Sequence, residues 1–127
     1  MAIARGGSLH QFLPDLDGPD EHRKFTDDDW NRRHDVIAEG KLAELVGETM
    51  RVNTNHRQAV REPGDDMHVC GRAPDGVIEA IEDASLPFWL GVQWHPERMP
   101  NEPAGWPIIA ALVRAAGQAG SQVAGRS

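Results

Sequence analysis

The fold is decided by the stretch Leu86-Pro87-Phe88-Trp89-Leu90-Gly91-Val92-Gln93-Trp94-His95-Pro96-Glu97. Its apolar part, residues 86–94, stops abruptly at a polar tripeptide. Such a run predicts a buried strand that delivers side chains to the rim of a sheet, and open α/β folds place their sites at that rim. We therefore expect the chemistry of this chain at residues 95–97.

Proline controls the backbone of this tripeptide. Pro96 fixes its own φ and disfavours a helical conformation at His95, which predicts an extended segment. Residues two apart in an extended segment point the same way, so the Glu97 carboxylate is expected beside the His95 imidazole. A carboxylate on one ring nitrogen fixes the tautomer and leaves the other nitrogen as a general base. A base of this kind needs a nucleophile, which the tripeptide lacks.

Residues 91–97 resemble the final-strand motif of class I glutamine amidotransferase-like enzymes, and the surrounding sequence is most similar to their gamma-glutamyl-gamma-aminobutyrate hydrolase branch. In that family a Cys-His-Glu triad cleaves a gamma-glutamyl amide through a thioester. The resemblance implies that His95 and Glu97 are two members of the triad. Supporting matches follow the family's order over most of the chain up to about Glu97: Gly6-Gly7-Ser8-Leu9-His10-Gln11, Val52-Asn53-Thr54-Asn55-His56-Arg57-Gln58 and Ala73-Pro74-Asp75-Gly76-Val77-Ile78-Glu79-Ala80-Ile81-Glu82.

The same resemblance implies an α/β fold, the C-terminal half of a flavodoxin-like class I glutamine amidotransferase-type sheet with an edge β-hairpin and a closing C-terminal helix. The family's nucleophilic cysteine sits on a turn before the helix that ends at Gly6-Gly7, so it is expected before Met1. We expect a partial domain over residues 1–117 and a flexible tail over residues 118–127. The missing N-terminal half is then a required partner, and the chain alone is expected to be inactive.

The resemblance also supplies candidates for substrate binding. Thr54, His56 and Gln58 keep the spacing of a Ser-x-His-x-Gln pattern beside the family's cleft, with threonine in place of serine. His10 matches a second family motif. Without the resemblance, a solvated position in a polar loop is the simpler interpretation of His10 and His56.

Local patterns predict the remaining elements. The turn Ala73-Pro74-Asp75-Gly76 joins the two strands of the clearest hairpin, since proline presets one φ and glycine accepts a positive one. Residues 61–66 are predicted as a loop. The best helix starts at Trp106, carries an apolar stripe and ends at Gly117. That stripe consists of Ile108, Ile109, Leu112 and Val113. Further short elements are predicted over residues 34–38 and 49–52 as strands and 41–46 as a helix.

Two features that resemble reactive sites receive simpler interpretations. The acidic run Asp27-Asp28-Asp29 lacks the alternating ligands and placed glycine of a calcium loop, so we expect a solvated loop and no metal site. Cys70 is the only cysteine, and it lies on a predicted hairpin strand rather than on a turn that would expose it. We interpret it as a small buried hydrophobic residue rather than as the nucleophile.

Composition excludes several classes of protein. The net charge of −7 argues against a nucleic-acid surface, which needs a basic patch. No apolar run is long enough to span a bilayer, so no membrane partner is expected. The single cysteine suits a reducing compartment, which makes the cytoplasm the expected location. Oligomeric state stays open.

The leading hypothesis is a hydrolase of gamma-glutamyl amides, with small gamma-glutamyl compounds as substrates and no cofactor. One alternative is a glutaminase that feeds ammonia to a synthase. Another is a non-catalytic remnant that acts as an interaction half-domain.

Overall fold

A computed structural model describes residues 1–13 and 32–124, with side chains up to residue 118. The acidic loop predicted at Asp27-Asp28-Asp29 lies outside these ranges. The strands are β1 (Ser8–His10), β2 (Arg33–Ala38), β3 (Thr49–Asn53), β4 (Ala59–Glu62), β5 (His68–Arg72), β6 (Ile78–Glu82) and β7 (Leu90–Val92). The helices are α1 (Gly40–Val46) and α2 (Trp106–Ala124), with short 3₁₀ helices at Ile3–Arg5 and Pro96–Arg98.

Two sheets organise the described residues. The larger has five strands in the order β3-β2-β5-β6-β7, and the smaller pairs β1 with β4. Every pairing among these strands is antiparallel. The architecture is α/β with a C-terminal helix, as predicted.

One continuous core joins the larger sheet to both helices. Val36 and Val52 come from neighbouring strands, Leu42 from α1 and Met99 from the loop before α2, and all four are fully buried. Trp94 extends this core, and its indole N–H donates a hydrogen bond to the Ala104 carbonyl at 2.8 Å. This bond fastens the end of the 86–94 stretch to the segment that leads into α2.

The predicted hairpin is confirmed. Gly76 takes the positive φ of 88° that the turn needs, and its N–H donates to the Ala73 carbonyl at 2.9 Å. Asp75 accepts a second hydrogen bond, from the Val77 N–H at 3.0 Å. The hairpin is interior rather than at the edge of the described sheet, because β2 and β7 flank its two strands.

The strand predicted over residues 86–94 is much shorter. Only Leu90–Val92 pairs with β6, and its residues are half-buried. The side chain of Asp83 accepts hydrogen bonds from both the backbone N–H and the hydroxyl of Ser85. The backbone N–H of Asp83 donates to the Trp89 carbonyl. These bonds form a turn that occupies the first part of the apolar run.

Two other boundaries differ from prediction. Residues 61 and 62 belong to β4 rather than to a loop, because the strand continues to Glu62, which pairs with Ser8 of β1. Helix α2 continues past Gly117 to Ala124, so the predicted end is wrong, and part of the predicted tail is helical. The division into a domain over residues 1–117 and a flexible tail stays a prediction.

The apolar stripe predicted for α2 is only partly buried. Ile108 lies in the core beside the buried Ala111, whereas Ile109, Leu112 and Val113 are exposed. None of the described helices combines the length and apolar character needed to cross a membrane.

Candidate active site

The His95 and Glu97 side chains meet at the end of the 86–94 stretch. His95 Nδ1 and Glu97 Oε1 lie 2.7 Å apart, and both side chains are partly open to solvent, at 40% and 56% exposure. A carboxylate oxygen can only accept, so Nδ1 carries the proton that is shared in this hydrogen bond. In the neutral ring, Nε2 is then the basic nitrogen.

The backbone that brings them together is not extended. His95 is non-helical, with φ −110° and ψ 87°, as proline at the next position requires. Pro96, however, starts a 3₁₀ helix that runs to Arg98, so the prediction of an extended tripeptide is wrong. The φ of proline suits the first position of such a turn as well as it suits a strand. The predicted contact between the two side chains is confirmed, although the backbone conformation that produces it differs from the predicted one.

The environment of Glu97 favours its ionised form. Burial alone would raise the pKa of Glu97, but hydrogen bonds from its own backbone N–H and from His95, together with the positive charges of His95 and Arg98, lower the pKa below its ordinary value. An ionised carboxylate can hold the ring of His95 and stabilise the imidazolium. The pair therefore has the chemistry of a general base, His95, that is oriented by a carboxylate, Glu97.

Asn53, at the end of β3, fixes the backbone of His95. Its Oδ1 accepts the His95 N–H at 2.9 Å, and its Nδ2 donates to the His95 carbonyl at 3.0 Å. Asn53 is fully buried. It also leads directly into the loop that carries Thr54, His56 and Gln58, so one residue joins the proton-handling pair to the predicted substrate loop. Sequence reasoning missed this role, because only the fold brings β3 to His95.

A polar cavity of about 480 Å³ lies beside this loop. Of the four predicted substrate-binding residues, His56 and Gln58 line it, and Gln58 donates a hydrogen bond to Gln11 at 3.0 Å. Thr54 is buried, and His10 is half-buried in β1, where it pairs with Ala59. The cavity is lined by Gln11, Phe12, His56, Arg57, Gln58 and Gln93.

Among the described residues, one cluster has the composition of a metal site. A nitrogen of His34, a nitrogen of His56 and a carboxylate oxygen of Glu79 all lie within 4.8 Å of one another. Glu79 and His34 were not candidates on sequence grounds. Their positions follow no ligand-spacing motif, and only the pairing of β2, β5 and β6 brings them together.

Cys70 has the buried environment expected of a structural residue. It is 1% exposed and belongs to the main core. Burial raises the pKa of its thiol to about 12, and the nearby carboxylates of Glu82 and Glu39 add to the effect. A thiol with this pKa is protonated at neutral pH and is not an activated nucleophile.

Comparison with known proteins gives a consistent family. The Peptidase C26 family model matches residues 1–97. A Mycobacterium tuberculosis protein whose name assigns it provisionally to the glutamine amidotransferases is 42% identical over 123 residues, which cover 96% of this chain and 39% of that protein. The gamma-glutamyl-gamma-aminobutyrate hydrolase PuuD of Escherichia coli K12 is 36% identical over 105 residues, which cover 76% of this chain and 41% of the hydrolase.

Solved structures share the fold. A Thermoplasma acidophilum protein whose name assigns it provisionally to GMP synthase superposes with a TM-score of 0.68 at 16% identity, over 95% of this chain and 54% of that one. The glutaminase domain of Trypanosoma brucei CTP synthase gives a TM-score of 0.50 at 23% identity, over 65% of this chain and 39% of that one.

The chain spans about two fifths of the length of these two curated relatives. Within that span, the family model covers the His95–Glu97 pair and both loops that hold the cavity residues. The chain belongs to the Peptidase C26 family of class I glutamine amidotransferase-like proteins, a family of hydrolase-type enzymes.

Proposed function

We propose that this chain provides the proton-handling part of a Cys-His-Glu hydrolase that cleaves gamma-glutamyl amides. The observation that carries the proposal is the 2.7 Å hydrogen bond between His95 Nδ1 and Glu97 Oε1. It leaves Nε2 of a partly exposed ring as the base, and both side chains come from the motif that the chain shares with its family.

The nucleophile in this proposal is a cysteine outside the chain. Cys70 is unsuited to the role because it is buried and its pKa is raised to about 12. The chain also spans 41% of the Escherichia coli hydrolase that it resembles. A segment from the remainder of such a protein would supply the thiol and the backbone amides of an oxyanion hole. The present chain alone is therefore expected to be inactive.

The reaction has two steps. In the first, His95 Nε2 takes the proton of the cysteine thiol, the thiolate attacks the gamma-carbonyl carbon, and His95 returns the proton to the departing amine as the C–N bond breaks. In the second, His95 takes a proton from water, the resulting hydroxide attacks the thioester, and the released thiolate regains the proton. Glu97 stabilises the imidazolium in both steps, and no metal or organic cofactor takes part.

His56 and Gln58 are proposed to bind the substrate in the polar cavity that they line. Thr54 and His10 remain proposed binding residues on the resemblance alone. Because Thr54 is buried, its contribution would come through the position of the loop rather than through direct contact.

A glutaminase is the second candidate, favoured by the name of the Mycobacterium tuberculosis relative at 42% identity. Both reactions use the same catalytic pair, so only the substrate separates them. The experiment is to purify the chain with a cysteine-bearing N-terminal segment supplied in trans and to measure glutamate release from gamma-glutamyl-gamma-aminobutyrate and from glutamine.

Faster turnover of gamma-glutamyl-gamma-aminobutyrate supports the hydrolase, and faster turnover of glutamine supports the alternative. In either case, His95→Ala is expected to reduce turnover by about 100-fold or more, the usual contribution of a general base. His68→Ala, which removes an exposed histidine on β5, is the matched control and should leave turnover unchanged. Absence of turnover from both substrates in a correctly folded complex would contradict the proposal.

A further inference from the structure

Three ionisable side chains from separate segments converge at His56, which lines the polar cavity. His34 lies on β2, His56 in the loop after β3, and Glu79 near the start of β6. The side chain of Glu79 is completely buried, and those of His34 and His56 are 15% and 8% exposed. The proposed hydrolysis uses neither His34 nor Glu79.

The tautomers of both histidines follow from their backbone contacts. His34 Nδ1 lies 2.9 Å from the Asp35 carbonyl, and His56 Nδ1 lies 2.8 Å from the Gln58 carbonyl. A carbonyl oxygen can only accept a hydrogen bond, so Nδ1 is the donor in each ring. Each neutral ring then directs the lone pair of Nε2 toward Glu79. Histidines that bind metals are typically oriented in this way, with the second nitrogen donating to a backbone carbonyl.

A positive charge between these groups would stabilise the cluster. Glu79 Oε1 lies 3.4 Å from His34 Nε2 and 3.3 Å from His56 Nε2. Lone pairs on two neutral rings repel a buried carboxylate, and burying an ionised carboxylate is costly unless opposite charge accompanies it. A metal ion is one source of such a charge, and a proton on either ring is another.

The spacing favours a metal ion over a proton. A charge-assisted hydrogen bond between an imidazolium and a carboxylate is about 2.8 Å long, shorter than either contact. Two ligands on a tetrahedral ion, each about 2.0–2.1 Å from it, are separated by about 3.3–3.4 Å. The two distances from Glu79 match this separation, and the ligand nitrogens of the two histidines lie within 4.8 Å of each other.

We propose that His34, His56 and Glu79 bind a divalent transition-metal ion of the zinc class. Two imidazoles and one carboxylate form a donor set that such ions prefer, whereas calcium and magnesium select oxygen ligands. The ion would connect β2, the substrate loop and β6. Both ring nitrogens of His56 would then be engaged, so His56 would serve the substrate site by holding the loop and Gln58 in place beside the cavity rather than through its ring nitrogens. The proposal does not depend on the hydrolase assignment.

The test is metal binding by the whole chain after removal of metal with a chelator. Isothermal titration with Zn²⁺ should show one site, and Co²⁺ should give the intense visible absorption bands of a tetrahedral ion. Zn²⁺ should also raise the melting temperature, because an ion that binds only the folded state stabilises it.

Glu79→Gln and His34→Gln remove one ligand each with little change of volume, and each should weaken Zn²⁺ binding at least tenfold. His68→Gln on β5 is the control and should bind as the wild type does. Circular dichroism identifies any variant that fails to fold, and the proposal then rests on the other variant and on the wild-type Co²⁺ spectrum. Absence of a Co²⁺ spectrum and of a Zn²⁺-dependent melting shift in the wild type would overturn the proposal, as would undiminished binding in both ligand variants.

Discussion

The side-chain amide of Asn53 holds the backbone of His95 on both sides, accepting its N–H at 2.9 Å and donating to its carbonyl at 3.0 Å. This pair of bonds imitates the pairing of a neighbouring strand at a point where β7 has already ended. These two bonds fix the position of the His95 backbone, and the Glu97 carboxylate fixes the orientation of the imidazole ring. Position and orientation of the proposed base therefore depend on two different residues.

Replacement of Asn53 should destabilise the fold and impair the site. Asn53→Ala leaves the backbone N–H and carbonyl of His95 without these partners, at a cost of about 2–4 kcal/mol in the free energy of unfolding. Urea denaturation measures this loss. Asn101→Ala, at an exposed position in the loop before α2, is the control and should change stability by less than about 0.5 kcal/mol. Equal stability of the two variants would show that the Asn53 contacts contribute nothing.

The pKa of Glu97 gives a prediction for pH dependence. Because it lies below the ordinary 4.5, the interactions of the ionised carboxylate stabilise the folded state above the unfolded-state pKa, and this contribution is lost as pH falls through the folded-state pKa. The carboxyl carbon resonance of Glu97, followed by NMR as a function of pH, should titrate with a midpoint below 4.5. In His95→Ala the midpoint should move upward, since one of the stabilising partners is removed. A wild-type midpoint above 4.5 contradicts the account.

Cys70 should be inert in the folded protein. Alkylation requires the thiolate, and burial together with a pKa of about 12 suppresses both access and ionisation. Iodoacetamide at pH 8 should label Cys70 only after denaturation, as measured by mass spectrometry of the intact chain. Rapid labelling of the native protein would reopen the possibility that Cys70 is a nucleophile.

The hydrogen bond from Trp94 to the Ala104 carbonyl should make a measurable contribution to stability. Trp94→Phe removes the buried indole N–H that donates to the Ala104 carbonyl at 2.8 Å. The loss should lower the free energy of unfolding by about 1–3 kcal/mol. Trp106→Phe makes the same substitution at a tryptophan that is more than half exposed, and its melting temperature should stay close to that of the wild type. Equal melting temperatures for the two variants would be inconsistent with this role for Trp94.

Local sequence predicted the parts of the site that depend on near neighbours. The contact between His95 and Glu97 could be predicted because only one residue separates them. The hairpin turn at Ala73-Pro74-Asp75-Gly76 could be predicted because its backbone requirements are local. The error at Pro96 has the same origin. The fixed φ of proline is compatible with both an extended segment and a 3₁₀ turn, so the residue alone cannot decide between them.

Contacts between distant segments were not predictable. Asn53 at the end of β3 reaches His95, which follows β7, although these two strands stand at opposite ends of the strand order. Glu79 on β6 likewise reaches two histidines from other segments of the chain. The burial of α2 was also misjudged at Leu112 and Val113, because an apolar residue on a helix indicates a potential contact and not the element that covers it. The resemblance named His56 and Gln58 as binding residues, and the structure adds the cavity beside them.

The most direct test of the central claim is a double-mutant cycle on the proposed pair. It compares kcat/KM for gamma-glutamyl amide hydrolysis in the reconstituted enzyme across the wild type, His95→Ala, Glu97→Gln and the double variant. If Glu97 acts only through His95, the double variant should be no slower than His95→Ala alone, since residues that work as a unit are non-additive. Losses that multiply in the double variant, or full activity in His95→Ala, would contradict the account.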